Sequence, residues 1–386
     1  GDHFIPAGQL VIESGATLDL DGHSETVGPG AVPVTGLVMQ GTAQIVNAGT
    51  FTSSTLGTFI DYQTGPANVS GGAIAGDELR LATSSITRPI QVADGDASVD
   101  LSISTDVTNS ATNPNSPTPV LDKLGDGRLS LSGNNTFWRG VEVSEGFLRA
   151  DSATALGETA GDANTGTNVQ AGATLELAGH SITGEHLTLA GGGVGDVGAL
   201  WSNGPSVGWT GPVVLADDSL IGVAGDVLTI SGQVSGTAAF AKVGAGTLEL
   251  TEDNTYAGGT LVDEGTLLVT NNSGSDTGAG PVCVAAGARL TGDGSVGGAV
   301  QNSGTVAPGT SIETLTLDDW YEQTATGSLA IEIDSTSNDV LAVTGIATLA
   351  GSIDVDLLGG YQPGLGDSFE VMTYAGVAGE FTSSSG

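Results

Sequence analysis

Cationic side chains are scarce in this 386-residue chain. Eight Lys and Arg residues stand against 44 Asp and Glu residues, so the formal net charge is −36 at pH 7. All eight lie between Arg80 and Arg289. Nucleic-acid binding depends on Lys and Arg that neutralise phosphates, and anionic membranes attract basic segments. The composition therefore excludes nucleic acid as a partner, and the single-sign surface charge favours solubility.

Cysteine and long apolar runs are scarce as well. Cys283 is the only cysteine, so no disulfide can form within the chain, and we expect it to pack as a small apolar residue in the strand 282–284. No apolar run reaches the roughly 18 residues of a membrane-spanning helix, so we predict no direct membrane insertion. The start, Gly-Asp-His-Phe, lacks the basic and apolar regions of a signal peptide, and we interpret the chain as a mature product or an excerpt.

Glycine, in contrast, is abundant, with 63 residues. These glycines do not recur at every third position, which excludes collagen. Apolar and polar residues alternate, as in Leu329/Ile331/Ile333, and this pattern excludes disorder and predicts short strands with one buried face. Glycine and Asn at the ends of these strands indicate tight corners.

Two stretches that begin 119 residues apart repeat one pattern. Lys123–Phe137 reads KLGDGRLSLSGNNTF and Lys242–Tyr256 reads KVGAGTLELTEDNTY, and each is followed by Gly, Val and Gly-x-Leu in the same register. A second phrase, Gly-Ala-(Thr/Arg)-Leu, begins at Gly15, Gly172 and Gly287. Internal repetition predicts a stacked solenoid, and short strands at nearly regular spacing favour a parallel β-helix over a meander of hairpins.

These motifs resemble the passenger-associated repeat of autotransporter-type bacterial surface proteins. Flanking stretches at 15–20, 303–309 and 327–369 are also similar to that family, so the likeness covers nearly the whole chain. The first copy departs at Trp138-Arg139, where the family favours small residues, which predicts a local bulge. The resemblance implies an all-β, right-handed parallel β-helix that is extracellular, on the cell surface of a bacterium.

The sequence divides into two predicted regions. Residues 1–303 hold the β-helix repeats, with a loop excursion near 107–119, where prolines cannot donate to a strand ladder. Residues 304–386 have longer strands, including one predicted over 369–374, and form a terminal β-helix segment or a small capping β segment.

No residue pattern predicts a catalytic, cofactor or metal site. Spaced aspartates share one face of a strand and can bind a cation or act as acid and base, but an acidic outer strand produces the same spacing. The spaced pairs are Asp19/Asp21, Asp94/Asp96 and Asp354/Asp356, and the adjacent pairs are Asp217/Asp218 and Asp318/Asp319. Two of the four histidines, His23 and His180, follow Gly in two copies of the second phrase, so we interpret them as parts of the repeat. We predict no cofactor, and calcium is the one cation considered.

The tryptophans are Trp138, Trp201, Trp209 and Trp320. They are scattered along the chain, which favours packing roles. A sugar-stacking surface is the alternative.

The predicted function is structural. We expect a non-catalytic rod or fibre-forming part of an extracellular adhesin or filament. Its partners would be further copies or neighbouring repeats end to end, and also glycans or a host or cell surface. The alternative is a polysaccharide-binding or polysaccharide-cleaving β-helix, in which a carboxylate pair faces a basic residue or a tryptophan on neighbouring turns. A third hypothesis is a binding module that uses the loop near 107–119.

Overall fold

Strands form nearly all of the regular structure. The computed structural model describes residues 3–5, 10–21, 25–27, 37–53, 60–63, 71–81, 88–109, 121–137, 140–158, 166–271 and 273–385. Within these ranges the only helices are two short 3₁₀ turns, Val194–Asp196 and Leu358–Gly360, and no helix is long and apolar enough to cross a membrane. The chain divides into two compact units, residues 1–201 and 202–386.

The strands of the first unit are short, and each polar–apolar alternation sends one set of side chains inward. In the described ranges they are β1 (His3–Ile5), β2 (Leu10–Ile12), β3 (Thr17–Asp19), β4 (Glu25–Val27), β5 (Leu37–Gln40), β6 (Gln44–Ser53), β7 (Ile60–Gln63), β8 (Gly72–Leu81), β9 (Arg88–Val92), β10 (Leu101–Ile103), β11 (Asp106–Asn109), β12 (Leu121–Leu124), β13 (Arg128–Leu131), β14 (Val141–Val143), β15 (Phe147–Ala150), β16 (Thr167–Val169), β17 (Thr174–Leu177), β18 (Leu187–Gly191) and β19 (Leu200–Ser202).

Strands of the first unit pair in parallel with strands one turn away. β12 pairs with β14, β14 with β16 and β16 with β18, while β13, β15 and β17 form a neighbouring parallel series. The chain therefore returns to the same face on every turn, as the repeats predict.

The second unit is also built from short parallel strands. Its described strands are β20 (Val207–Trp209), β21 (Val213–Val223), β22 (Val227–Ile230), β23 (Val234–Gly236), β24 (Phe240–Val243), β25 (Thr247–Leu250), β26 (Thr260–Val262), β27 (Thr266–Val269), β28 (Val282–Val284), β29 (Arg289–Gly292), β30 (Ser295–Val296), β31 (Val300–Asn302), β32 (Thr305–Pro308), β33 (Thr314–Leu317), β34 (Tyr321–Gln323), β35 (Ser328–Ile333), β36 (Val340–Val343), β37 (Ile346–Leu349), β38 (Ser352–Leu357), β39 (Met372–Thr373), β40 (Gly376–Gly379) and β41 (Ser383–Ser385).

Three faces, each made of parallel strands, enclose the core of the second unit. A nine-stranded sheet runs β20-β22-β25-β27-β29-β32-β35-β38-β41, and a four-stranded sheet runs β30-β33-β36-β39. The third face is the series β21, β24, β26, β28, β31, β34, β37 and β40. One column of the nine-stranded sheet, Leu228, Leu248, Leu267, Leu290, Val306 and Leu329, is fully buried in strict register. Stacking of like aliphatic side chains, each worth about 2 kcal/mol of burial, supplies the core.

The all-β parallel β-helix predicted from the sequence is confirmed, with local differences. Val107–Asn109 belong to β11, so the predicted excursion does not begin before residue 110; its remainder and the predicted bulge at Trp138-Arg139 lie outside the described residues. The strand expected over 369–374 is reduced to Met372–Thr373. The boundary at 303/304 stays a prediction.

Candidate functional site

The lysine that begins each repeat is buried inside the turn. Lys123, on β12, has no exposed surface, although lysine is almost never buried without partners. Its Nζ donates to the carbonyl oxygens of Leu124 (3.1 Å), Gly125 (2.5 Å) and Glu145 (3.0 Å). Glu145 lies one turn further along the chain, so the ammonium group joins two successive corners.

The second copy repeats this arrangement. Lys242, also fully buried, donates to the carbonyls of Gly244 and of Glu264, the latter at 3.0 Å. The Glu264 carboxylate in turn accepts the backbone N–H of Gly244 at 3.0 Å. Burial lowers the pKa of Lys123 to about 7 and that of Lys242 to about 8. In each copy the negative charge of a nearby glutamate partly offsets this lowering.

An asparagine in each repeat joins three turns. The Asn135 side chain accepts the N–H of Val107 (2.8 Å) on the turn before and donates to the carbonyl of Ala155 (2.8 Å) on the turn after. Asn254 likewise accepts from Val234 (2.6 Å) and donates to the carbonyl of Asp276 (2.6 Å). Each amide therefore satisfies one buried donor and one buried acceptor at a corner where the strand ladder is interrupted.

The aromatic residue two positions after the asparagine fills the core. Phe137 and Tyr256 are fully buried, and the Tyr256 hydroxyl lies 2.5 Å from Thr260 Oγ1. The ring of Phe240 meets Tyr256 edge-on at 5.3 Å. The repeat motif is therefore a set of groups that join and fill successive turns.

Three buried aspartates, which the sequence analysis missed, also join separate parts of the backbone. Each uses its two carboxylate oxygens to accept two backbone N–H groups that are distant in sequence. The pairs are Gly95 and Arg128 for Asp100, Asn271 and Ser295 for Asp276, and Glu313 and Glu332 for Asp339. Burial raises the pKa of all three, and that of Asp276 to about 7, although the donated N–H groups partly offset it.

Asp276 should make stability depend on pH in a defined window. Its pKa in the folded state, about 7, lies above the ordinary value of 3.8, so its stabilising contribution is complete below about pH 4 and is lost as the pH rises through 7. We expect the unfolding free energy of the wild type, relative to that of Asp276→Asn, to fall by about 4 kcal/mol from pH 4 to pH 8. Urea unfolding across this range measures it, and a constant difference would contradict the assignment.

An open groove lies on the outer face of the nine-stranded sheet. Its volume is about 510 Å³, and its lining includes Arg289 on β29, Ala330 and Glu332 on β35, and Asp354 and Asp356 on β38. Glu332 and Asp356 are direct register partners on adjacent strands. Parallel stacking therefore brings Asp354 and Asp356, the spaced pair named in the sequence analysis, to the same surface as Arg289, which is more than sixty residues away in sequence.

Three of the other four aspartate pairs make hydrogen bonds within the fold, most of them local; Asp94/Asp96 is the fourth pair. Asp19 accepts the N–H of Asp21, Asp217 that of Asp218, Asp218 that of Ala239, and Asp319 that of Trp320, while Asp318 accepts the Ser295 hydroxyl. His180 is exposed, His186 is buried, and His23 lies outside the described residues. Within the described ranges, no group of three or more His, Cys, Asp or Glu is placed to hold a metal ion.

The tryptophans and the cysteine have separate environments. Trp209 is fully buried, Trp320 is exposed, and Trp138 lies outside the described residues. Trp201 is half-buried and lies beside the Arg128 guanidinium, which stacks 4.2 Å from the Phe147 ring centroid. Cys283 differs from the prediction: Val282 and Val284 take the inward positions of β28, so its free thiol is half-exposed on the outer face.

A family model described as "Passenger-associated-transport-repeat" matches residues 121–150 and 240–269. The chain is similar to the "Adhesin BmaC autotransporter" of Brucella suis biovar 1 (strain 1330), with 31% identity over 173 residues, 44% of this chain and 5% of that protein. It is also similar to an "Extracellular serine protease" of Serratia marcescens, with 31% identity over 163 residues, 39% of this chain and 15% of that protein.

The chain thus spans only a small part of the length of these curated relatives. The resemblance predicted from the two repeats is confirmed. Together the matches indicate an extracellular or cell-surface protein.

Proposed function

Because this β-helix carries two passenger-associated transport repeats, we propose that it is a non-catalytic structural section of a bacterial surface adhesin. The observation that carries the proposal is the use of the repeat's own polar residues. Lys242 and Asn254 bind backbone groups of neighbouring turns, and their counterparts Lys123 and Asn135 do the same. Groups engaged in this way extend a β-helix, and they are withdrawn from solvent and from any substrate.

The acidic surface supports an extracellular structural role. With 44 acidic and eight basic residues, the chain carries a large net negative charge, which resists non-specific association. The similarity to a named adhesin supports an adhesive protein, and the similarity to a named extracellular protease supports the same exported setting. We propose a non-catalytic role because the repeated residues bind backbone groups of neighbouring turns.

The adhesive role can be tested in bacteria that produce the whole protein. An in-frame deletion of residues 1–386 should lower attachment to protein-coated surfaces severalfold, with unchanged protease and polysaccharide-hydrolase activity in the medium. Antibody labelling of the remaining protein controls for its amount at the surface. Unchanged attachment at equal surface amount, or loss of a hydrolytic activity, would contradict the proposal.

We propose further that copies of the chain associate, as expected from the sequence. Sedimentation velocity at increasing protein concentration, with and without calcium, should show species larger than the monomer. A single monomeric species under all these conditions would overturn this expectation.

A further inference from the structure

We propose that the groove on the outer face of the nine-stranded sheet binds a segment of a neutral oligosaccharide. This inference rests on the proposed adhesive role and deepens it, because it names a contact site and a ligand class. The groove's volume of about 510 Å³ lies within the range of about 300–1,000 Å³ typical of small-molecule sites.

Small side chains form the floor of the groove. One outward column of the sheet runs from Leu268 through Thr291 to Ala307, and Ala330 and Asp354 continue it on β35 and β38. The two alanines lie between larger residues, so the surface is depressed at their level. The face of a sugar ring is mostly C–H and packs on such an apolar floor.

A short loop after β32 forms one wall. Thr291 Oγ1 donates to the carbonyl of Gly309 at 2.6 Å, and the Gly309 N–H donates to the carbonyl of Gly292 at 2.7 Å. Pro308 precedes this clamp and Thr310 follows it, and both line the groove. The wall is therefore fixed by hydrogen bonds before any ligand binds, which lowers the entropy cost of binding.

The polar groups of the groove fall into two classes. Asp339 accepts two backbone N–H groups, and Asp354 accepts the hydroxyls of Ser385 and Ser352, at 2.5 and 3.4 Å. These two carboxylates are occupied by the fold itself.

Glu332, Asp356 and Arg289 are different. Among the described residues, their side chains make no hydrogen bond or ion pair, and each is at least partly exposed. Two like charges in direct register on adjacent strands repel each other. The groove therefore offers two acceptor groups and one donor group that a ligand can use.

This combination selects a ligand by its chemistry. Among the described residues, no set of three His, Cys, Asp or Glu side chains is placed to bind a metal ion, and the charge of the Arg289 guanidinium repels a cation. An anion is repelled by the carboxylates that line the groove. A neutral sugar has hydroxyls that donate to Glu332 and Asp356 and accept from Arg289, since carboxylates only accept and guanidinium only donates.

Isothermal titration of the purified 386-residue chain tests the site. The probes are cellohexaose, maltohexaose, xylohexaose and mannohexaose, with spermine and calcium chloride as cationic arms. We expect at least one hexasaccharide to bind and neither cation to compete with it. The double variant Glu332→Gln/Asp356→Asn should lower that affinity by about tenfold or more, because charged acceptors form the stronger hydrogen bonds.

A steric variant and a matched control complete the test. Ala330→Trp fills the floor and should abolish binding, whereas Ala241→Trp, at a half-buried position on β24 outside the groove lining, should leave it within about twofold. Circular dichroism and a urea midpoint check that each variant folds.

Binding of no hexasaccharide, equal binding by all variants, or binding of spermine or calcium alone would overturn the assignment. The attachment assay on the deleted protein is independent of these results. If the deletion still lowers attachment when no sugar binds, the groove assignment fails and the adhesive role stands.

Discussion

Asn254→Ala should lower the unfolding free energy of the second unit by about 3 kcal/mol. The change removes one buried acceptor and one buried donor together, and leaves the N–H of Val234 and the carbonyl of Asp276 without partners. Each buried group left unsatisfied costs about 1–3 kcal/mol. Asn135→Ala should have the same effect in the first unit, where the orphaned groups are on Val107 and Ala155.

Urea unfolding followed by circular dichroism measures the loss, and amide hydrogen exchange at Val234 locates it. Gln233→Ala is a matched control, because the exposed Gln233 side chain also donates across a turn, to the carbonyl of Asp253 at 2.8 Å. Because this site is exposed, water can bind the Asp253 carbonyl in the variant, so Gln233→Ala should lower the unfolding free energy by less than about 0.5 kcal/mol. Equal effects of the control and the Asn254 variant would contradict the role assigned to the repeat asparagines.

Gly265→Ala should cost about 3 kcal/mol or more, and Gly287→Ala only about 1 kcal/mol. Both glycines have positive φ, +65° and +87°, so both alanines bear the strain of the left-handed region, about 1–2 kcal/mol. A Cβ at Gly265 would lie 2.5 Å from the carbonyl oxygens of Gly244 and Gly246, whereas one at Gly287 meets open space. The difference between the variants isolates the close approach of two turns.

The first unit offers the same comparison. Gly146, with φ +62°, has Gly125 O at 2.4 Å from its built Cβ, while Gly172, with φ +86°, has nothing within 4 Å. Gly146→Ala should therefore destabilise the fold by about 2 kcal/mol more than Gly172→Ala, as judged by urea midpoints. Similar midpoints for each pair would mean that the turns are not packed as closely as described.

The architecture could be predicted from the sequence because each turn of a β-helix has the same kind of half-buried strands and tight corners. Leu248/Leu250 and Leu329/Ile331/Ile333 alternate as half-buried strands must, and the two Lys–Gly–Gly stretches fix the period. The direction of Cys283 was available too. Its neighbours Val282 and Val284 take the inward positions of a period-two strand, so the alternation alone predicts that the Cys283 side chain points outward.

Buried charge was the part that sequence reasoning could not supply. Lys123 and Lys242 occur in identical register, which indicates a shared role, but a lysine is usually solvated, and the carbonyls that it binds come from another turn. Asp100 and Asp276 carry no local signature, because the N–H groups that they accept are fixed only once turns stack.

The groove could not be predicted for the same reason, because its residues come together only when the turns stack. Asp354/Asp356 was visible as a pair, while its relation to Arg289 depends on strand register across β29, β32, β35 and β38.

The register of the turns can be measured with the native thiol. Cys283 is the register partner of Leu261 on the preceding turn and of Gln301 on the following turn. Parallel neighbours lie about 4.8 Å apart, within the Cα separations of about 4.4–6.8 Å that a disulfide spans. Leu268→Cys is the control, because residue 268 is closer in sequence than either of the two but lies on β27, in another sheet.

We would oxidise each variant at low protein concentration and quantify the intrachain disulfide by mass spectrometry of proteolytic peptides. The parallel β-helix predicts high yields for Leu261→Cys and Gln301→Cys with Cys283, and little or none for Leu268→Cys. A high yield for Leu268→Cys together with low yields for the other two would contradict the stacked-turn structure.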